Sequence, residues 1–166
     1  NDRPPAARDA GGREVIEILA VLGIPLAGGL VLALMGERDE AAIVNIVASF
    51  ATFVAAAVLT ARVVTDGPML ALDKLFFVDS FNVFLVALTA FVGFTTSIFS
   101  RPYMRIERER GHVNAARLRL YHSMYQLFMA MMLVALTTNN MGLLWVAMEA
   151  ATLSTVLLVT LYRTPA

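Results

Sequence analysis

The chain is 166 residues long, 58% hydrophobic and only 16% charged. Soluble domains run nearer 45–50% apolar and about 25% charged, so a soluble fold is excluded, and thirteen basic residues balanced by thirteen acidic ones give nucleic acid no electrostatic foothold. Cysteine is absent, which removes disulfides, thiolate-held zinc and Cys-ligated iron–sulfur clusters, so any redox centre coupled to this chain is carried elsewhere.

In chain order, the polar start NDRPPAARDAGGR, with its Pro and Gly, reads as a disordered segment over residues 1–14. Residues 15–166 then read as one transmembrane helical domain with a mean hydropathy of +0.71 for the whole chain. A helix needs roughly 20 apolar residues to cross a hydrocarbon core of about 30 Å. Five segments meet that length, at about 15–35, 41–61, 76–99, 120–138 and 142–162. The fold class expected is all-α, a polytopic membrane protein. The first apolar run is too long for a signal peptide and lacks a small-residue cleavage site. Gly23, Pro25, Gly28 and Gly29 within it predict a kink and a close helix contact.

The connectors are GERDE, a Pro/Gly loop RVVTDGPMLALDK, a basic segment RPYMRIERERGHVNAARLR and a two-Asn turn. Arg101, Arg105, Arg108, Arg110, Arg117 and Arg119 dominate the count of basic residues near the spans, which places that segment in the cytoplasm and the N-terminus outside. The segment is either an amphipathic interfacial helix on anionic headgroups or a solvated loop that sets topology. No internal repeat and no GxGxxG, Walker A, GxSxG or HExxH pattern occurs, so nucleotide, acyl-transfer and metalloprotease chemistry lack support.

The informative residues are the polar ones at membrane depth. Glu149, in WVAMEAATLSTVLLV, lies seven residues into the fifth segment, about 10 Å from its start at 1.5 Å per residue. An ionised carboxylate there costs several kcal/mol unless paired or hydrated, so such a residue marks an ion or proton path by default. A low-dielectric site also favours the neutral acid over the carboxylate. The alternative is a protonated Glu acting as hydrogen-bonded glue to a neighbouring helix. Trp145, Thr152 and Val156 share its face by helical spacing, and Thr152 is placed to orient the carboxyl or a water. No Lys or Arg lies in the middle of any of the five segments, so a charged Glu149 needs a cation from outside this sequence.

Asp79 and Asn82 open the third segment in FFVDSFNVF and read as an interfacial N-cap ahead of an ion-path role. Glu17, within a turn of the first segment's start, reads as interfacial. Gln126, Thr137, Thr138, Asn139 and Asn140 flank or line the fourth segment, with hydroxyls expected to bond back to the helix and a hydrated lining as the alternative. His112 in the basic segment and His122 at the fourth segment's opening are read as surface or interfacial. Two histidines at such different depths do not make a bis-His haem site. The Met-rich MYQLFMAMML reads as flexible packing. No cofactor and no metal site is expected in this chain.

VDSFNVFLVALTAFVGFTTSIFSRPYM and NNMGLLWVAMEAATLSTVLLVTLYRTPA resemble the proton-conducting antiporter-like membrane subunits shared by complex I, multi-subunit sodium/proton antiporters and membrane-bound hydrogenases, in particular the component F type of hydrogenase-4. The resemblance covers about 76–166, and WVAMEAATLS is its specific part: a Trp four residues before a mid-membrane Glu, followed by small and hydroxyl residues. It implies about fourteen helices with two inverted five-helix repeats, of which this chain would supply the three leading helices and the first two of the first repeat. It makes Glu149 the proton-relay Glu, paired with a Lys on a broken helix farther along. That Lys has no counterpart here. The chain is therefore expected to be an N-terminal portion: a truncated product, a split subunit completed by another chain, or part of a longer polypeptide.

The function expected is a non-redox, proton-translocating subunit of a membrane-bound hydrogenase or NADH-dehydrogenase-like complex in a bacterial or archaeal cell membrane. Its expected partners are the lipid bilayer, other membrane and hydrophilic subunits, and protons. A structural helix-docking module without conduction and a sodium/proton antiporter component are the alternatives.

Overall fold

A computed structural model describes residues 5–35, 40–109 and 114–160. They form five helices and one short hairpin: α1 (Pro5–Leu34), α2 (Ala41–Asp66), β1 (Met69–Ala71), β2 (Phe76–Val78), α3 (Asn82–Glu109), α4 (Ala115–Thr137) and α5 (Met141–Thr160). All five helices are long and apolar enough to cross a membrane, as the composition requires. His112, Arg110, Arg163, Tyr162 and all of GERDE except Glu40 lie outside the described residues.

The helix ends depart from the hydropathy reading, and each departure has a local cause. The backbone is already helical from Pro5, where a disordered start is expected. Proline suits the first position of a helix because its missing N–H has no intrahelical partner to lose. α2 runs a turn past residue 61 and stops at Gly67, whose φ of 92° lets its N–H close on the Val63 carbonyl. The largest correction is at residues 76–99, expected as one helix. Phe76–Phe77–Val78 instead form a strand, in register with Met69–Ala71 as Met69↔Val78, Leu70↔Phe77 and Ala71↔Phe76. Aromatic and β-branched residues suit a pleated, half-buried surface. The tight connection carries Leu72, Asp73 and Lys74 at φ of 52°, 52° and 69°, a left-handed run that L-residues adopt at some cost in strain.

α3 then starts where capping permits. The Asp79 Oδ1 accepts from the N–H groups of Phe81 (3.0 Å) and Asn82 (2.8 Å), and the Asn82 Oδ1 accepts from the Asp79 N–H at 2.8 Å. This reciprocal arrangement follows the capping-box logic. At its other end α3 continues through the basic segment to Glu109, and α4 begins at Ala115 with Asn114 as N-cap, its Oδ1 accepting from the Arg117 N–H at 2.9 Å. Over 101–109 and 115–119 the arginine-rich segment is thus the helical continuation of α3 and α4.

The helices pack as a bundle in which α4 is central: it lies against α1, α3 and α5, and more lightly against α2. α5 packs chiefly on α4. The apolar core gathers toward the hairpin end. It joins Ile18, Val21 and Leu22 of α1, Leu59 and Val63 of α2, the hairpin's Met69, Phe76 and Val78, Val83 and Val86 of α3, and Leu133 of α4. The α4–α5 turn docks on the hairpin, with the Asn139 N–H donating to the Leu75 carbonyl (2.8 Å) and its side-chain amide to the Lys74 carbonyl (3.1 Å). The buried polar residues sit mostly in the other half of the bundle.

Candidate functional site

α5 buries a narrow stripe of small residues, Ala147, Ala151 and Ser154. This spacing of four and three residues follows one helix face, the usual contact surface between membrane helices. Glu149 is two residues past Ala147, about 200° around the helix at 3.6 residues per turn, so it points away from α4. Its neighbours on that side are equally open: Trp145 is 69% exposed, Val156 52%, and Thr152 is exposed as well. Glu149 therefore stands about 12 Å along α5 from Met141 by helical rise, on a face that no other described residue covers. Among the described residues it has no hydrogen-bond or ion-pair partner. The Thr152 hydroxyl, expected to orient the carboxyl, instead donates to the Met148 carbonyl at 2.9 Å.

Other polar positions read from the sequence are placed elsewhere. Asp79 and Asn82 cap α3, with the Asn82 amide also donating to the Phe77 carbonyl at 2.7 Å. Asn140 caps α5, its Oδ1 accepting from the Leu143 N–H at 3.0 Å. These three hold the hairpin end together and do not converge with Glu149. Glu17 has a basic partner that the sequence reading missed: Arg62 Nη1 donates to its Oε1 at 2.6 Å, both side chains about one-fifth exposed. Arg62 lies one residue past the expected end of the second span, in a turn that proves helical.

Gln126 is the sequence-predicted residue whose surroundings hold the most chemistry. It is fully buried and its amide Nε2 faces three acceptors on α2: the Asn45 carbonyl (3.1 Å), the Asn45 Oδ1 (2.8 Å) and the Ser49 Oγ (2.9 Å). α1 approaches closely enough to close this level because it presents glycine. A Cβ on Gly28 would lie 2.9 Å from the Ala48 Cβ, and one on Gly29 would lie 3.3 Å from the Ser123 carbonyl oxygen, so the close contact expected of this glycine pair is present. One turn before Gln126, on the same face of α4, is His122. It is 1% exposed, which corrects its reading as a surface or interfacial residue: α4 starts at Ala115, so His122 lies in its interior. Asn45 and Ser49 were not singled out. Their signal is a small, polar stripe at helical spacing, continued by Thr52 and Ala56, all buried.

No family model matches the chain, and no solved structure matches it. A curated protein from Methylacidiphilum infernorum (isolate V4), named hydrogenase-4 component F homolog, is 42% identical over 145 residues, 87% of this chain. The likeness takes in more of the chain than the 76–166 region that first suggested it, and it bears out the resemblance to antiporter-like membrane subunits. The chain spans 29% of that relative's length.

Proposed function

We propose, on the premise of this kinship with a hydrogenase-4 component F homolog, that the chain works as the N-terminal portion of a non-redox, proton-translocating membrane subunit in a hydrogenase or NADH-dehydrogenase-like complex of a cell membrane. Glu149 is the proton-relay carboxyl. The observation that carries this reading is an acid about 12 Å into a membrane-length helix, on the face turned away from its own bundle. Leaving an ionised carboxylate against lipid is costly. The open face is instead suited to further protein, which would supply a cationic partner and water. When such a cation sits beside Glu149 the carboxylate is favoured; when it withdraws, the neutral acid is favoured and a proton is taken up. Trp145 and Thr152 line the same face and shape the surroundings of the carboxyl without bonding to it. With no cysteine in these 166 residues, thiolate-ligated redox groups would lie outside this stretch.

The test is Glu149→Gln in the intact assembly, with proton uptake into vesicles measured alongside electron transfer. Gln keeps the size and loses the titration, so translocation should be lost while Glu149→Asp keeps part of it. Unchanged translocation in the Gln variant would leave only a structural, helix-docking role. Sodium dependence of the flux separates a proton path from a sodium/proton exchanger.

A further inference from the structure

We propose that Asn45, Ser49, His122 and Gln126 enclose an internal water-binding site between α1, α2 and α4, separate from Glu149. Asn45 and Gln126 are 0% exposed, His122 is 1% and Ser49 is 3%. Within this group the Asn45 Nδ2, the Gln126 Oε1 and both ring nitrogens of His122 are buried with no hydrogen-bond partner among the described residues. His122 and Gln126 share a face of α4 about 6 Å apart along its axis, and the Asn45 and Gln126 amides touch at 2.8 Å, so the unmet atoms are spread over about one helical turn of the bundle. A buried polar atom left unpaired costs on the order of 1–3 kcal/mol, and in the membrane interior there is no bulk solvent to relieve it.

The mixture of unmet groups selects the ligand. Asn45 Nδ2 is a donor, Gln126 Oε1 is an acceptor, and a neutral imidazole offers one of each. A cation would face the Asn45 N–H groups, and an anion would face the Gln126 carbonyl oxygen. Water donates and accepts at once, and buried waters typically hold about three such partners. α1 walls the site at Gly28, where an added Cβ would lie 3.8 Å from the Gln126 Oε1, at ordinary contact distance. The bound water gives the His122 ring a hydrogen-bonded contact inside the bundle, independent of the Glu149 face.

The site is testable by solid-state nuclear magnetic resonance on the complete protein in lipid vesicles with 15N-labelled histidine, reading magnetisation transfer from water protons to the His122 ring. His122→Gln assigns the signal by its disappearance. Transfer to His122 is expected, together with its loss in the Asn45→Leu/Gln126→Met double variant. A His122 ring that receives no water magnetisation, or transfer unchanged in the double variant, would overturn the proposal. Should the variants fail to assemble, a density map of the unmodified protein that resolves ordered water decides it: a solvent peak bridging His122 and Gln126 supports the site, and direct dry contacts in its place overturn it.

Discussion

The inner level of the bundle and the outer face of α5 both carry polar groups well inside membrane-length helices, yet they are built on different terms. Around Gln126, three helices close in: glycines on α1, small polar residues on α2 and the amide on α4 knit a buried cluster. Around Glu149 the packing is one-sided: α5 rests chiefly on α4 by its far side, and Trp145, Thr152 and Val156 beside the carboxyl are exposed. Polar groups that bond to one another across helices specify how a bundle packs. A polar group that bonds to nothing in its own bundle is free to respond to a partner. The inner level is therefore expected to govern stability, and the outer face to govern transport.

That contrast can be broken by substitutions on either side. The largest effect on stability is expected from Gly28→Val. The added side chain meets the Ala48 Cβ at a distance already too short for one carbon, and overpacking of this kind costs about 2 kcal/mol, read as a lower midpoint of unfolding in mixed micelles. Gln126→Met comes next. It keeps volume and removes the bonds to Asn45 and Ser49, which at roughly 0.6 kcal/mol for an interhelical bond in a membrane gives a loss of about 1 kcal/mol in the same assay. Trp145→Leu should have the smallest effect, within about 0.5 kcal/mol, since its ring packs on little else in the bundle. Equal losses of stability at Trp145 and Gln126 would erase the distinction between the two regions.

Much of this was legible in the sequence, and what was not has physical reasons. Hydropathy and length gave five spans because those properties alone decide whether a helix can cross a bilayer. They could not separate the strand Phe76–Val78 from the helix after it, since a short apolar run suits both and the boundary is set by the Asp79–Asn82 cap. Placing the fourth span at 120 put His122 at a membrane surface; the Asn114 cap moves the helix start to Ala115 and the imidazole inward. Asn45 and Ser49 were passed over within an apolar stretch, because hydroxyls and amides there commonly bond within their own helix. Only the approach of α4 gives them a partner. Glu149 stood out because an acid within a span is conspicuous by itself. Which way it faces depends on which helices pack beside α5, a matter of tertiary arrangement.

The most direct measurement concerns the surroundings of residue 149 in the complete protein. A nitroxide attached through Glu149→Cys, in lipid vesicles, reports collisions with lipid-dissolved oxygen and with a water-soluble nickel chelate. Shielding from oxygen relative to a label at Val159, together with chelate contact well below that of a residue in bulk water, is the expected result for a position covered by protein at membrane depth. Oxygen contact as high as in open hydrocarbon, or chelate contact as high as in free solution, would contradict a relay role for Glu149.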